Sequence, residues 1–144
     1  MEFHYVDLRA FCYATEDENR VERALRHYLP DEYPVERETN VGHHGDEIVV
    51  VSARVENADD VRHVMDRVLD AGEGERERIA DEIEDRVDED CAFHLRLDKQ
   101  EAYSRRSALG EGLHLRAKVE AYPAKREKAV EAVRRSLSDT ASDG

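Results

Sequence analysis

Residues 93–103 place cationic side chains at positions where a β-strand would hold them on one face. The segment reads Phe-His-Leu-Arg-Leu-Asp-Lys-Gln-Glu-Ala-Tyr, and in its first half His94 and Arg96 alternate with apolar residues. Because successive side chains of a strand point to opposite faces, we expect the apolar set to face a core and His94 and Arg96 to face outward. Guanidinium and ammonium groups bind phosphate oxygens, so this pattern indicates a site for a polyanion.

Two other predicted strands repeat this alternation. If their apolar sides face helices, their opposite sides present Tyr5, Arg9, Phe11 and Tyr13 from the first strand and His114, Arg116 and Lys118 from the last. Such a surface suits single-stranded or looped RNA, because bases stack on aromatic and guanidinium planes while Arg and Lys contact phosphates. Two alternatives stay open. The aromatic side chains could be covered by an unrecognised helix or a dimer partner, and the cations could form an ordinary solvated strand face.

A short helical turn is predicted directly after the strand that holds Arg96. Asp98 and Glu101 stand at capping-box spacing. Since Asp98 would occupy the N–H groups that begin this turn, we assign the anion contact to Lys99 and, in the following loop, to Arg105 and Arg106. Glycines further along the same loop would let it approach a ligand closely, although glycine is also ordinary in turns.

The run Gly-His-His-Gly-Asp at residues 42–46 is typical of a hairpin tip, and its two histidines raise the question of metal or acid–base chemistry. His43 and His44 are adjacent, so on a strand they would point to opposite sides, and the chain has no HxH, HxxxH or HExxH pattern. A metal site would need the distant His94 or His114. A loop contact with RNA and a purely structural turn are both compatible with these residues, and the sequence predicts neither a metal nor a cofactor.

Charge is distributed unevenly along the chain. The whole chain has 22 basic and 35 acidic residues, a net charge of −13, yet residues 91–136 hold 11 basic and 6 acidic residues. Basic charge concentrated in one part of an acidic protein indicates interaction with nucleic acid. Arginine greatly outnumbers lysine, and together with the many carboxylates this is typical of salt-adapted cytoplasmic proteins whose acidic surface serves solubility.

The length of 144 residues predicts a single domain at residues 1–137, with a disordered tail at 138–144. No apolar run approaches the roughly 20 residues of a membrane span, and no signal sequence precedes the first strand, so a cytoplasmic protein without membrane contact is expected. Cys12 and Cys91 lack metal-ligand spacing and fall on predicted buried faces, where free cysteine acts as a small hydrophobe.

The order of predicted elements is strand, helix, two strands, two helices, two strands, helix. The first strand should bury His4, Val6, Leu8, Ala10 and Cys12, and the first helix should begin at a capping box made by Thr15 and Glu18. Asn57 is predicted to cap the second helix. This order, with clean alternation in most strands, predicts an α+β fold in which helices cover one face of a largely antiparallel sheet.

Three segments, in order, resemble an archaeal RNA-binding protein family that is often labelled exosome-associated. They are residues 3–17 (FHYVDLRAFCYATED), residues 42–46 (GHHGD) and residues 96–103 (RLDKQEAY), and the resemblance spans about residues 3–120. It implies a fold similar to the ribosomal protein that binds 5S ribosomal RNA, and a role in RNA binding or processing.

The leading hypothesis is a non-enzymatic protein that binds structured or single-stranded RNA, acts in RNA processing or ribosomal RNA metabolism, and is a monomer or homodimer. The first alternative is a metal- or histidine-dependent RNA phosphodiesterase using His43, His44 and His94. The second alternative is a protein-interaction subunit of an RNA-processing complex. No catalytic residue is assigned. The predicted RNA-binding residues are Arg9, Phe11, His43, His44, His94, Arg96, Lys99, Tyr103, Arg105, Arg106, Arg116 and Lys118.

Overall fold

The computed structural model describes residues 3–42 and 44–143, with side chains up to residue 138. Within these residues the chain forms five strands and six helices. The strands are β1 (Phe3–Cys12), β2 (Glu36–Val41), β3 (Glu47–Val55), β4 (Ala92–Asp98) and β5 (Gly112–Val119). The helices are α1 (Glu18–Arg26), α2 (Ala58–Leu69), α3 (Glu73–Asp81), α4 (Ile83–Arg86), α5 (Lys99–Tyr103) and α6 (Arg126–Asp143).

All five strands join one antiparallel sheet in the order β2-β3-β1-β5-β4. The inward side chains of the central strands, such as Val6, Leu8 and Leu115, are fully buried, and they pack in one core with the apolar stripes of the helices. The opposite face of the sheet is left open. The predicted α+β class, with helices on one face of an antiparallel sheet, is therefore confirmed.

The predicted alternation of β1 is correct from Val6 to Cys12 and wrong at its beginning. Phe3 is buried and His4 is exposed, the reverse of the expectation. The pairing of β1 with β5 shifts register between Phe3 and Tyr5. Such a β-bulge inserts one residue, so the side chains beyond it point to the opposite face of the sheet from the one expected. The amino-acid sequence of the strand alone does not reveal a bulge. His4 instead lies 3.2 Å from Glu120.

Helix starts agree with the sequence at α2 but not at α1. Asn57 caps α2 by accepting a hydrogen bond from the amide of Asp59, as predicted. At α1 the cap is Asp17, which accepts from the amide of Asn19, and the predicted capping box of Thr15 and Glu18 is wrong. Both candidate caps are good acceptors, and the chain uses the residue immediately before the first helical turn.

Several smaller expectations can also be compared with the structure. The second of the two helices predicted between β3 and β4 is divided into α3 and α4, which meet at Glu82 and bury Ile79 and Ile83. Cys12 and Cys91 are buried free thiols, as expected. Helix α6 continues to Asp143, past the position where the domain was predicted to end. Among the described residues no helix is both long and apolar enough to cross a bilayer.

Candidate nucleic-acid interface

Three side chains from neighbouring strands form a row across the open face. Arg9 on β1 stands opposite His114 on β5, and His114 stands opposite Arg96 on β4. Neighbouring strands lie about 4.8 Å apart, so the two arginine Cα atoms are about 10 Å apart. Both arginines are exposed, and neither forms an ion pair within the described part of the chain. We call Arg9, His114 and Arg96 the open-face row.

A second row, next to the first, is largely neutralised. Asp7 receives two hydrogen bonds from Arg54, at 2.7 and 3.0 Å, and its carboxylate lies 4.0 Å from Arg116. Arg116 also donates to the Tyr5 hydroxyl at 3.2 Å, and the guanidinium carbon of Arg54 lies 4.2 Å from the centre of the Tyr5 ring. Arg54 therefore covers part of the Tyr5 ring. Arg116 is held in place but shares its charge with an acid.

Two histidines connect these rows through a chain of short contacts. Asp88 Oδ2 lies 2.7 Å from His94 Nε2, and His94 Nδ1 lies 3.2 Å from His114 Nε2, with the rings stacked. Burial, followed by the nearby His94, Arg9, Arg96 and Arg116, lowers the pKa of His114. Partial burial alone would raise the pKa of Asp88, but hydrogen bonds from His94 and from backbone amides lower it. At neutral pH the open-face row therefore holds two charged arginines around a neutral imidazole.

A cavity opens beside this row at the β4 edge of the sheet. Its volume is about 570 Å³, and Arg78, Arg86, His94, Arg96, Gly110 and His114 are among the residues that line it. This volume lies within the range of small-ligand sites. Asp85 and Glu111 also line the cavity, so its lining carries mixed charge, and Arg96 and His114 belong both to this lining and to the open-face row.

Lys99 occupies a position that the sequence did not predict. Its Nζ donates to the Phe11 carbonyl at 2.7 Å and to Glu16 Oε1 at 2.8 Å, and only 13% of its side chain is exposed. Partial burial would raise the pKa of Glu16, but the hydrogen bonds from Lys99 and from the Tyr13 amide lower it. Lys99 thus joins α5 to the end of β1 and has little surface left for a ligand.

The loop after α5 folds back on its own strand. Gly110 donates to the Arg96 carbonyl at 3.1 Å, and the Asp98 amide donates to the Ala108 carbonyl at 2.9 Å. A Cβ atom on Gly110 would lie 2.6 Å from Asp98 Cβ. Glycine is thus required for close approach to the chain itself. As predicted, Asp98 caps α5, accepting from the Glu101 amide at 2.9 Å.

The remaining predicted contacts are dispersed. Phe11 is half-buried two residues beyond Arg9, and Lys118 donates to the Asp90 carbonyl. His44 is exposed in the β2–β3 turn, while His43 lies outside the described residues. The β2–β3 hairpin and β4 are at opposite edges of the sheet, and β3 is three strand spacings, about 14 Å, from β4. Of the three histidines of the phosphodiesterase alternative, His44 and His94 are therefore not brought together.

Tyr103, Arg105 and Arg106 lie on the helix side of the sheet, where α5 packs against α1. Arg106 pairs with Glu101 at 2.6 Å, and the Tyr103 ring is flanked by Arg20 and Arg23 of α1. The sequence did not single out these two α1 arginines, because cations on the outer side of an amphipathic helix are ordinary. Their spacing of three residues was the signal available. No group of three or more His, Cys, Asp or Glu side chains suited to a metal ion occurs among the described residues.

The fold and this face define a class: an α+β protein with an open antiparallel sheet, which presents arginines that have no ion-pair partner among the described residues. Comparison with known proteins narrows the class. The family model described as RNA binding matches residues 5–120. The chain is 34% identical over 146 residues to RNA-binding protein PAB1135 of Pyrococcus abyssi, covering 95% of each protein. The chain belongs to this RNA-binding family, so the resemblance noted in the sequence is confirmed.

Two solved structures have a similar fold. Mth689 from Methanothermobacter thermautotrophicus is 39% identical, with a TM-score of 0.80, and the match covers 95% of this chain and 99% of that one. AF2318 from Archaeglobus fulgidus is 27% identical, with a TM-score of 0.84, and the match covers 94% and 99% of the two chains. The fold described above is thus similar to the folds of these two archaeal proteins over nearly their whole length.

Proposed function

We propose that this protein binds RNA through the open face of its sheet, with Arg9 and Arg96 as the principal phosphate contacts. The observation that carries the proposal is the open-face row, where two exposed arginines that form no ion pair with any described carboxylate flank His114 on a chain of net charge −13. Like charges placed together without acids are stabilised by an anionic ligand. Family membership supports RNA as that ligand.

The other parts of the face suit recognition of unpaired nucleotides. Phe11 and the stacked pair of His94 and His114 supply ring surfaces, and bases stack on aromatic rings whatever their sequence. The cavity of about 570 Å³ beside Arg96 is large enough for one unstacked nucleotide. We therefore propose that the preferred target is a loop or other single-stranded segment, whose bases can turn away from their neighbours.

The proposed action is binding without cleavage, in RNA processing or ribosomal RNA metabolism. Three of the residues first considered for RNA contact have smaller roles in this proposal. Lys99 and Lys118 are engaged with backbone carbonyls, and Arg116 is shared with Asp7 and Tyr5. We propose that Lys99 and Arg116 position the face, and that Lys118 contributes at its margin.

Fluorescence anisotropy with a labelled RNA hairpin and matched DNA tests this proposal. Each phosphate contact of an arginine is worth about 1.4 kcal/mol, or tenfold in affinity, so the double variant Arg9→Gln with Arg96→Gln should bind RNA about 100-fold more weakly. Each lost contact should also reduce the slope of log affinity against log salt by about 0.7 for single-stranded RNA. Wild-type protein should prefer RNA to DNA and leave the RNA intact.

The matched control replaces two exposed cations away from this face, Arg62 and Lys125, by glutamine. This control has the same loss of charge and should keep its affinity within about threefold, since screening at physiological salt limits interactions beyond about 8 Å. Equal weakening by both double variants would mean that only net charge matters. That result would contradict the open-face assignment.

A further inference from the structure

A second cluster of arginines lies on the helix side, opposite the open face. Arg20 and Arg23 of α1 each place the guanidinium carbon 5.6 Å from the centre of the Tyr103 ring on α5. Residues three apart on a helix are neighbours, so two positive charges converge on one aromatic ring. Both arginines are exposed, and within the described part of the chain neither forms an ion pair. This arrangement leaves their N–H groups available to an anion.

Two further arginines extend the cluster along the same face of α1. His27 follows Arg23 by four residues, and burial, then the nearby Arg67, lowers its pKa, with Arg105 acting in the same direction and Asp70 opposing. Arg67 at the end of α2 and Arg105 after α5 are thus close to this helix face. Both are exposed, and neither has an ion-pair partner among the described residues.

The loop that holds Arg105 is fixed in position. Ser107 Oγ donates to the Arg67 carbonyl at 2.7 Å and lies 2.9 Å from His27 Nε2, so the loop is joined to both α1 and α2. Arg105 has φ of 64°, in the left-handed region that side chains other than glycine rarely adopt. Arg105 is the left-handed residue of the Schellman cap that ends α5, in which the Arg105 amide donates to the Ala102 carbonyl at 3.0 Å and the Arg106 amide donates to the Glu101 carbonyl at 2.8 Å. Preorganised arginines lose less entropy when they bind phosphate.

We propose that Arg20 and Arg23 beside Tyr103, together with Arg67 and Arg105 near His27, bind a second stretch of phosphate backbone of the same RNA; we call these four arginines and Tyr103 the helix-side patch. The proposal rests on the RNA-binding function above and adds a second surface to it. Each arginine guanidinium can donate two parallel hydrogen bonds to a phosphate, and the Tyr103 ring holds two arginines, Arg20 and Arg23, side by side. An acidic protein would repel RNA elsewhere, so two positive surfaces define the path of the strand.

Chain connectivity limits the separation of Arg96 and Tyr103. Arg96 on the open face and Tyr103 are separated by two further strand residues and the short helix α5. At about 3.3 Å per strand residue and 1.5 Å per helical residue, the path between them is at most about 16 Å. A strand of at least roughly five nucleotides, at about 3.4 Å each, is therefore needed to reach from one surface to the other. An RNA that passes around the end of the sheet can therefore contact both surfaces.

The experiment compares three double variants. The α1 variant carries both Arg20→Gln and Arg23→Gln, the open-face variant carries both Arg9→Gln and Arg96→Gln, and the control variant replaces Arg62 and Lys125 by glutamine. Glutamine has good helix propensity, so the α1 variant should remain folded, which circular dichroism verifies. Anisotropy is measured with labelled RNA hairpins carrying a single-stranded extension of about 3 or about 15 nucleotides, where the longer one exceeds the required span. We expect the α1 variant to weaken binding of the longer RNA at least tenfold, to affect the shorter RNA within twofold, and to leave the stoichiometry at one RNA per protein.

Failure of this proposal is distinguishable from failure of the first. If the α1 variant binds the longer RNA like wild type while the open-face variant is weakened, the helix-side patch does not bind RNA and only the second proposal is overturned. If only the α1 variant loses affinity for RNA and the open-face variant keeps it, the open-face assignment is overturned instead. Two RNA molecules bound per protein would also overturn the second proposal, because the surfaces would then act separately.

Discussion

Replacing Lys99 by methionine separates a structural role from direct RNA contact. The sequence placed Lys99 among the phosphate contacts, whereas its Nζ lies 2.7 Å from the Phe11 carbonyl oxygen and 2.7–2.8 Å from both Glu16 carboxylate oxygens. Methionine retains most of the aliphatic stem and removes the ammonium group. The Phe11 carbonyl and the Glu16 carboxylate then lose their common donor.

The expected magnitude follows from these contacts. A hydrogen bond to a charged group contributes about 1.5–3 kcal/mol, and an exposed ion pair contributes about 0–1 kcal/mol. Lys99 is mostly buried and Glu16 is 31% exposed, so the pair lies between these cases. We expect Lys99→Met to lower the free energy of unfolding by about 2–3 kcal/mol.

Urea unfolding followed by circular dichroism measures this loss as a lower midpoint at an unchanged slope. Lys118→Met is the matched control, because the contact of Lys118 with the Asp90 carbonyl is exposed to solvent, so its loss should cost less than about 1 kcal/mol. A double-mutant cycle of Lys99→Met with Glu16→Gln should give a coupling of about 1 kcal/mol. If Lys99→Met costs no more than the control and weakens RNA binding tenfold, Lys99 is an RNA contact and the structural account is refuted.

Three further predictions concern packing, charge and pH. Gly110→Ala should lower the free energy of unfolding by about 1–3 kcal/mol, because the new Cβ atom would lie 2.6 Å from Asp98 Cβ. Gly74→Ala on α3, where a Cβ atom meets nothing within 4 Å, should instead raise the free energy of unfolding by up to about 1 kcal/mol. Equal urea midpoints for the two variants would contradict this prediction. Asp7→Asn should strengthen RNA binding about threefold in anisotropy, because it removes the carboxylate beside Arg54 and Arg116 and makes these arginines available to phosphate. A full phosphate contact would be worth up to about tenfold in affinity. Weaker binding would show that Asp7 must position the two arginines. The free energy of unfolding should fall as the pH drops from about 7 to 5, because folding lowers the pKa values of His27 and His114. Below about pH 6.5 these histidines take up protons more readily in the unfolded chain than in the folded chain, which favours unfolding. Replacing both histidines by glutamine should flatten that decline in urea titrations at each pH, and an unchanged decline would count against it.

Local pattern was sufficient to predict most of the fold. The strands that alternate and the helices with apolar stripes are in the expected places because burial follows the period of each element. The errors at His4 and Thr15 arise from a bulge and from the choice between two neighbouring caps. Both features depend on strand pairing or helix capping in the folded chain. The sequence is compatible with a strand with or without the bulge and with either cap residue.

The candidate site was harder to predict, because its contacts join distant residues. The open-face row could be expected once the strands were assigned, but their order determines which cations are neighbours. Lys99 looked available because Glu16 is 83 residues away in sequence, and Arg20 and Arg23 looked ordinary because Tyr103 is similarly distant from them in sequence. Pairing with a remote acid or ring decides whether a cation is available, and sequence spacing does not reveal it.

The most direct test of RNA binding at the open face is an NMR titration that follows the arginine side-chain Nε–Hε signals. Addition of an RNA hairpin should shift or broaden the signals of Arg9 and Arg96 at substoichiometric RNA, while the exposed Arg62 signal remains unchanged. Assignment follows from the single Arg→Gln variants. Unchanged Arg9 and Arg96 signals in a saturated complex would contradict RNA binding at this face.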